Sequence, residues 1–295
     1  MSEALLLEDG TVLNVVRRGD PGAPVTVVFT HGYALDHREW HRQLEVLESA
    51  VARPVQLLAY DHRGHGESSP ATAETATIDQ LADDLAVVIE RAVPEGRVVV
   101  VGHSMGGMAA LALAVRRPRL FAQRVGGLVL LSTAAGGFAE ANLGLAQPVG
   151  RLVLELEQVF GRIVRKVREK IEPAKTAGLK WFLFGAKPRQ EDVDLTADMV
   201  WSNWPETVAL FTPALDRHDR EAAMSVVEHA ALDGTEVVIM TGDQDRLCPT
   251  SHVAEIAKVV GRGEQVLVPG AGHMLPLERP DEVTGRIASV VDSLT

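Results

Sequence analysis

A single cysteine in 295 residues, Cys248, excludes an internal disulfide and fits a reducing compartment. Excess positive charge is missing as well: 29 Lys and Arg stand against 40 Asp and Glu, a formal net charge of -11. This balance argues against a nucleic-acid partner, because binding a phosphate backbone needs clustered, uncompensated cations. The one basic run, residues 162–170, is flanked or interleaved by Glu155, Glu157, Glu169 and Glu172 and reads as a solvated helix face. No apolar run reaches the roughly 18 residues needed to cross a bilayer. Residues 1–10 carry acids where a secretory leader would carry bases. A chain without a membrane span, located in the cytoplasm, is expected. Internal repeats and low-complexity tracts are absent too.

What is present is a chain that is 46% hydrophobic and long enough for one large α/β domain, or one with an inserted subdomain. Residues 5–7 and 11–16 flank Asp9-Gly10 as a hairpin. Residues 25–30 read as an apolar strand ending at His31-Gly32-Tyr33, and residues 36–50 have helical spacing with Trp40, Leu44 and Leu47 on one face. A strand at 55–60 runs into a polar loop from Asp61 to Pro70, and an amphipathic helix at 78–92 precedes four consecutive valines, Val98 to Val101. Another strand follows at 127–132. This alternation predicts a mostly parallel sheet with helices on both faces. From 136 to 228 it stops, and the segment reads as helices punctuated by Pro148, Pro173, Pro188, Pro205 and Pro213. Strands at 236–241 and 265–268, with helices at 251–260 and 280–294, then resume the sheet. The expected architecture is a core of residues 1–135 and 229–295 carrying a helical cap of residues 136–228.

The valine run leads into Gly102-His103-Ser104-Met105-Gly106. Between a buried strand and a helix, G-x-S-x-G allows a sharp bend that holds Ser104 above the sheet edge; the plainer alternative is a Gly-rich turn whose serine caps the helix. A serine hydroxyl needs a base within hydrogen-bond reach, oriented by a third group. Candidates follow the late strands: His273 in Pro269-Gly270-Ala271-Gly272-His273, and Asp245 in Gly242-Asp243-Gln244-Asp245, with Asp243 as its competitor. The backbone N–H groups of Met105 and Tyr33 are the candidate donors to an oxyanion. His37, His41 and Glu45 have a spacing compatible with a metal, but H-E-x-x-H is absent and an exposed polar face is the simpler account. Cys248 lies beside Pro249 with no histidine in a pairing motif, and reads as a packed thiol.

Taken together, His31-Gly32, Asp61-x-Arg63-Gly64-x-Gly66-x-Ser68, Gly102-His103-Ser104-Met105-Gly106-Gly107, Gly242-x-x-Asp245 and Gly272-His273 resemble the α/β-hydrolase fold family, in particular its capped esterase, lipase and haloperoxidase-like members. The resemblance covers nearly the whole core. It implies Ser104 as nucleophile, Asp245 as the orienting acid, His273 as base, and no cofactor. It implies also that the Asp61–Ser68 loop is structural. A serine at position 104 departs from the dehalogenase and epoxide-hydrolase branches, where aspartate is looked for. Trp181, Trp201, Trp204 and Phe184, with Phe160, Phe182 and Phe211, fall in the insertion and are expected to line an apolar pocket over Ser104. The expected partner is a small acyl compound: a medium, largely apolar ester or lactone. The alternatives are acyl transfer, cyclisation or perhydrolysis by the same residues, or a ligand-binding protein that has lost turnover. Nothing in the sequence sets the number of subunits.

Overall fold

Val98 to Val101 are wholly buried and alternate between two cores. Val98 and Val100 face one apolar cluster, Val99 and Val101 the other. Two-sided burial of this kind is what a central parallel strand requires, and each valine contributes about 1.5 kcal/mol or more relative to exposure. The computed structural model of the chain describes residues 2–93, 95–136, 176–203, 206–217 and 221–294.

Strand β1 (Ser2–Leu6) pairs antiparallel with β2 (Val12–Gly19), with Gly10 at φ 85° in the turn between them. Strand β2 pairs antiparallel with β4 (Gln56–Tyr60). The rest of the sheet is parallel: β3 (Val25–Thr30), β5 (Arg97–His103), β6 (Val125–Leu131), β7 (Glu236–Gly242) and β8 (Glu264–Val268), in the order β1-β2-β4-β3-β5-β6-β7-β8. Helices cover both faces. The face of Val98 and Val100 carries α2 (Ile78–Val87), α3 (Met105–Arg116), α4 (Pro118–Arg124), α8 (Glu221–Leu232) and α9 (Thr250–Val260). The opposite face carries α1 (His41–Ala50), the one-turn α10 (Leu275–Glu278) and α11 (Pro280–Ser293).

Two expected helices are interrupted. Residues 36–50 split because the Asp36 carboxylate caps Arg38 N–H and the His37 N–H is drawn to Asp61 Oδ1 (2.6 Å), so the chain starts with a 3₁₀ turn, His37–Trp40, before α1. Residues 78–92 form α2 and then widen into a π-helical turn, Val88–Ala92.

The described part of the insertion is helical: α5 (176–183), α6 (Gln190–Ser202) and α7 (Glu206–Asp216). Pro188 precedes α6, and Pro213 lies within α7. The expected boundary at residue 228 falls inside α8, whose Ala223, Met224, Val227, Ala230 and Ala231 join the same core as α3 and α9. Residues 137–175, with Pro148, Phe160, Pro173 and the basic run, and also Trp204 and Pro205, lie outside the described residues. Among the described residues, no helix is long and apolar enough to cross a membrane.

Candidate active site

Residues that follow the carboxyl ends of parallel strands meet at one edge of the sheet. Here Tyr33 follows β3, Ser104 follows β5, Asp245 follows β7 and His273 follows β8. Ser104 adopts φ 49° and ψ -116°, a backbone region costly for a residue with a Cβ, by about 1 to 3 kcal/mol. Its N–H donates to the Leu131 carbonyl (2.9 Å), and its own carbonyl accepts from Thr133 Oγ1 (2.7 Å), which pins the bend from β6. The glycine spacing has a steric origin. A Cβ on Gly106 would stand 2.2 Å from the Thr30 carbonyl oxygen, and one on Gly102 would stand 2.7 Å from the Gly107 backbone.

His273 Nδ1 donates to Asp245, at 2.9 Å from Oδ2 and 3.1 Å from Oδ1, and both residues are buried. The Asp245 carboxylate also accepts the N–H groups of Leu247 (2.9 Å) and Cys248 (2.8 Å). Burial pushes this carboxyl up, but the His273 ring and these hydrogen bonds outweigh it and hold it below the usual carboxylate range. Asp243, the competitor, instead accepts the Gly270 N–H (2.7 Å) and shapes the loop that carries His273. That loop is tightly seated. His273 N–H donates to the Leu183 carbonyl (2.7 Å), and the Glu278 carboxylate accepts N–H from Gly272 (2.9 Å) and from Gly185 in the insertion (2.8 Å). His273 lies beside the serine bend through His103, whose ring centroid is 4.7 Å from its own.

The segment after β3 is fixed by its peptide at Gly32. The Gly32 carbonyl accepts His31 Nδ1–H (2.8 Å) and Leu35 N–H (3.2 Å). In a trans peptide the next N–H, that of Tyr33, points the opposite way. Met105 is the first residue of α3, so its N–H falls outside the helix's own ladder. The Gly32 N–H donates to Glu39 Oε2 (3.0 Å), and Glu39 Oε1 is ion-paired with His103 Nδ1. Sequence reasoning missed Glu39. A signal was available: a histidine at the end of a buried valine strand needs partners for two ring nitrogens.

The residues expected to line a pocket separate. Phe184 is buried and, with Leu183, Val193, Met199 and Val200 of the insertion, packs on Ala34, Leu35, Leu247, Met274 and Leu277 of the core, with Trp201 partly buried against them. Trp181 is 65% exposed, with the Arg246 guanidinium 4.8 Å from its ring centroid. Tyr33 Oη and Thr212 Oγ1 of α7 are 2.9 Å apart, and Asn203 Oδ1 accepts the Gly66 N–H (2.8 Å), so the insertion is tied to the core by polar contacts also.

Of the residues with metal-ligand spacing, His41 Nδ1 donates to the Arg38 carbonyl (3.1 Å) and His37 Nδ1 to Asp61 (2.9 Å). Asp36, His37 and Asp61 bring one ligand atom each within 4.8 Å of one another, but Asp61 already accepts His37 N–H, Asn14 Nδ2–H and Glu67 N–H, and Asp36 holds Arg38. The lone pairs a cation would need are engaged. Cys248 is wholly buried, and burial pushes its thiol well up, away from the thiolate a nucleophile requires.

The alpha/beta hydrolase family matches residues 27–286. The chain is 30% identical over 276 residues to the dihydrolipoyllysine-residue acetyltransferase component of the acetoin cleaving system of Cupriavidus necator, covering 93% of this chain but 65% of that protein, just under two thirds of its length. It is 27% identical over 325 residues to epoxide hydrolase A of Mycobacterium tuberculosis, covering 99% of this chain and 98% of that one. Its fold superposes on a thermophilic esterase from Thermogutta terrifontis with a TM-score of 0.73 at 24% identity, covering 99% and 98% of the two chains. A match across most of the core, over the same strands and loops that carry the serine bend, means that this chain belongs to the alpha/beta hydrolase family.

Proposed function

We propose that the chain is a cofactor-free serine hydrolase that cleaves carboxylic esters or related acyl bonds. The observation that carries this reading is the His273–Asp245 hydrogen bond, 2.9 Å long and buried, beside a serine held in a strained bend. Ser104 Oγ attacks the acyl carbonyl while His273 takes its proton. Asp245 keeps the imidazole in the Nδ1–H tautomer and stabilises the imidazolium that forms. The oxyanion is met by the N–H groups of Met105 and Tyr33, each such donor being worth about 3 kcal/mol in the transition state. The proton then passes from His273 to the leaving alcohol, and the acyl-Ser104 ester is cleaved by a water that His273 deprotonates.

The apolar contact of Leu35, Phe184, Leu247 and Met274 beside these residues favours a medium, largely apolar acyl group. Ser104→Ala tests the mechanism. Turnover of a medium-chain p-nitrophenyl ester should fall by about 10⁶-fold with the fold retained, since loss of a serine nucleophile has that scale in a serine protease. Unchanged hydrolysis, or no labelling of the wild type by a serine-directed phosphonate, would refute it. A second reading, acyl transfer from the same acyl-Ser104, is favoured by the similarity to a protein named as an acetyltransferase component. Product analysis with added thiol or alcohol separates transfer from hydrolysis. With serine at position 104, epoxide opening is not proposed.

A further inference from the structure

Glu39 and His103 are both wholly buried, and neither has a part in the chemistry above. A buried carboxylate is costly unless its oxygens are matched. Glu39 Oε2 accepts the Gly32 N–H at 3.0 Å, and Oε1 lies against His103 Nδ1 as an ion pair rather than as an aligned hydrogen bond. His103 in turn donates Nε2–H to the main-chain carbonyl of His273 at 2.9 Å. A carbonyl only accepts, so Nε2 carries a proton, and the carboxylate at the other nitrogen draws a second. Burial works against the charged ring, and Glu39 outweighs it. One continuous chain of contacts thus runs Gly32, Glu39, His103, His273. It links the segment after β3, the strand that presents Ser104 and the loop that presents the base. Gly32 is packed on this chain closely enough that a Cβ there would stand 2.8 Å from His103 Nδ1.

We propose that Glu39 and His103 are positioning residues: a buried ion pair that sets the Gly32–Tyr33 peptide, the Ser104 bend and the His273 backbone relative to one another. The inference rests on the serine-hydrolase reading. Neither side chain touches substrate, so the loss on breaking the pair falls on kcat and spares KM. A displacement near 1 Å between reacting groups is worth about 100-fold in rate.

The test measures kcat and KM on a medium-chain p-nitrophenyl ester, per active site titrated with a phosphonate, together with inhibition by an alkyl boronic acid that mimics the tetrahedral oxyanion. The variants are Glu39→Leu, Glu39→Gln, Glu39→Asp and His103→Phe, with Ser104→Ala as reference. Leu removes both carboxylate oxygens, and Phe keeps the ring without the ion pair or the Nε2–H hydrogen bond. Asp is too short to bridge Gly32 and His103, and it is read in place of Leu if Leu does not fold. Gln can accept from Gly32 and donate to a neutral His103 ring that keeps its Nε2–H.

Glu39→Leu, Glu39→Asp and His103→Phe should each lower kcat by about 100-fold, weaken the boronate by a similar factor and leave KM within about threefold. Glu39→Gln should recover to within about tenfold of wild type. The inference is overturned if these three variants turn over at the wild-type rate per titrated site, if KM rises as much as kcat falls, or if Glu39→Gln is no better than Glu39→Leu. Should Ser104→Ala keep the wild-type rate, the serine reading itself fails. If Ser104→Ala is inactive while the Glu39 and His103 variants are normal, only this inference does.

Discussion

Two histidine–aspartate pairs in this protein are nearly superimposable in their local chemistry. His273–Asp245 and His37–Asp61 both join Nδ1 to a carboxylate oxygen at 2.9 Å. Both carboxylates follow a strand of the sheet, β7 or β4, and both accept backbone N–H groups. For each, burial pushes the carboxyl up and the histidine partner outweighs it; Asp61 ends well below the usual range, Asp245 below it. What differs is the company. His273 lies against His103 and hence the Ser104 bend, whereas His37 opens on a groove of about 590 Å³ lined by Val16, Arg18, Arg38, His41, Leu44, Glu45 and Glu48. That lining holds no serine, threonine or cysteine for the ring to activate. A histidine–aspartate pair is therefore a way of holding a ring, and its chemistry depends on what the far side of the ring meets.

The sharpest way to break this comparison is to neutralise both aspartates. Asp245→Asn should lower kcat by about 10⁴-fold, the loss known for the matching change in a serine protease, because the imidazole is left in the wrong tautomer. Asp61→Asn should leave kcat within about threefold and instead cost about 3 kcal/mol of stability in urea unfolding, since it uncouples His37, Asn14 and the Glu67 N–H from one buried charge. An Asp61→Asn enzyme as inactive as Asp245→Asn would show that the two pairs share the chemistry.

The smallest expected effect is on pH. The His37 value is raised in the fold: burial lowers it, and the Asp61 carboxylate more than compensates. Its contribution is therefore complete below the ordinary value of 6.5 and fades as pH rises through the folded value. The Asp61 value is depressed, so its contribution is complete above its ordinary 3.8 and fades as pH falls through the folded value. The gap in unfolding free energy between wild type and His37→Asn should accordingly narrow from about pH 6.5 upward, by an amount under about 1 kcal/mol. A gap that widens there would mean that His37 is neutral in the fold.

The same contrast explains what was legible in the sequence. The strands were legible because two-sided burial demands unbroken apolar runs such as Val98 to Val101, and the serine bend because only glycine fits at positions 102 and 106. The His273 loop was legible from its glycines after the last strand. The split of residues 36–50 was not, because a helical apolar stripe at Trp40, Leu44 and Leu47 says nothing about Asp61, which takes the His37 N–H from 24 residues away. Glu39 was hidden for a related reason: an acid in an amphipathic stretch looks solvated until the buried His103 that needs it is known. The boundary expected at 228 falls within α8, whose apolar face packs with α3 and α9 as well as with Phe211, Ala214 and Leu215 of α7. Partners distant in sequence decided each of these, and only for Glu39 did the local pattern hold a hint, in the buried histidine that ends the valine strand.

The backbone of Ser104, at φ 49°, sets two demands against each other at one position. Glycine would occupy that bend with less strain and, net of its greater freedom in the unfolded chain, would hold the fold at least as firmly; alanine would keep the strain and lose the hydroxyl. A fold selected for firmness alone would drift toward glycine at position 104. The serine's retention of an unfavourable conformation is a standing tax on stability, and its size can be read as the difference in melting temperature between Ser104→Gly and Ser104→Ala.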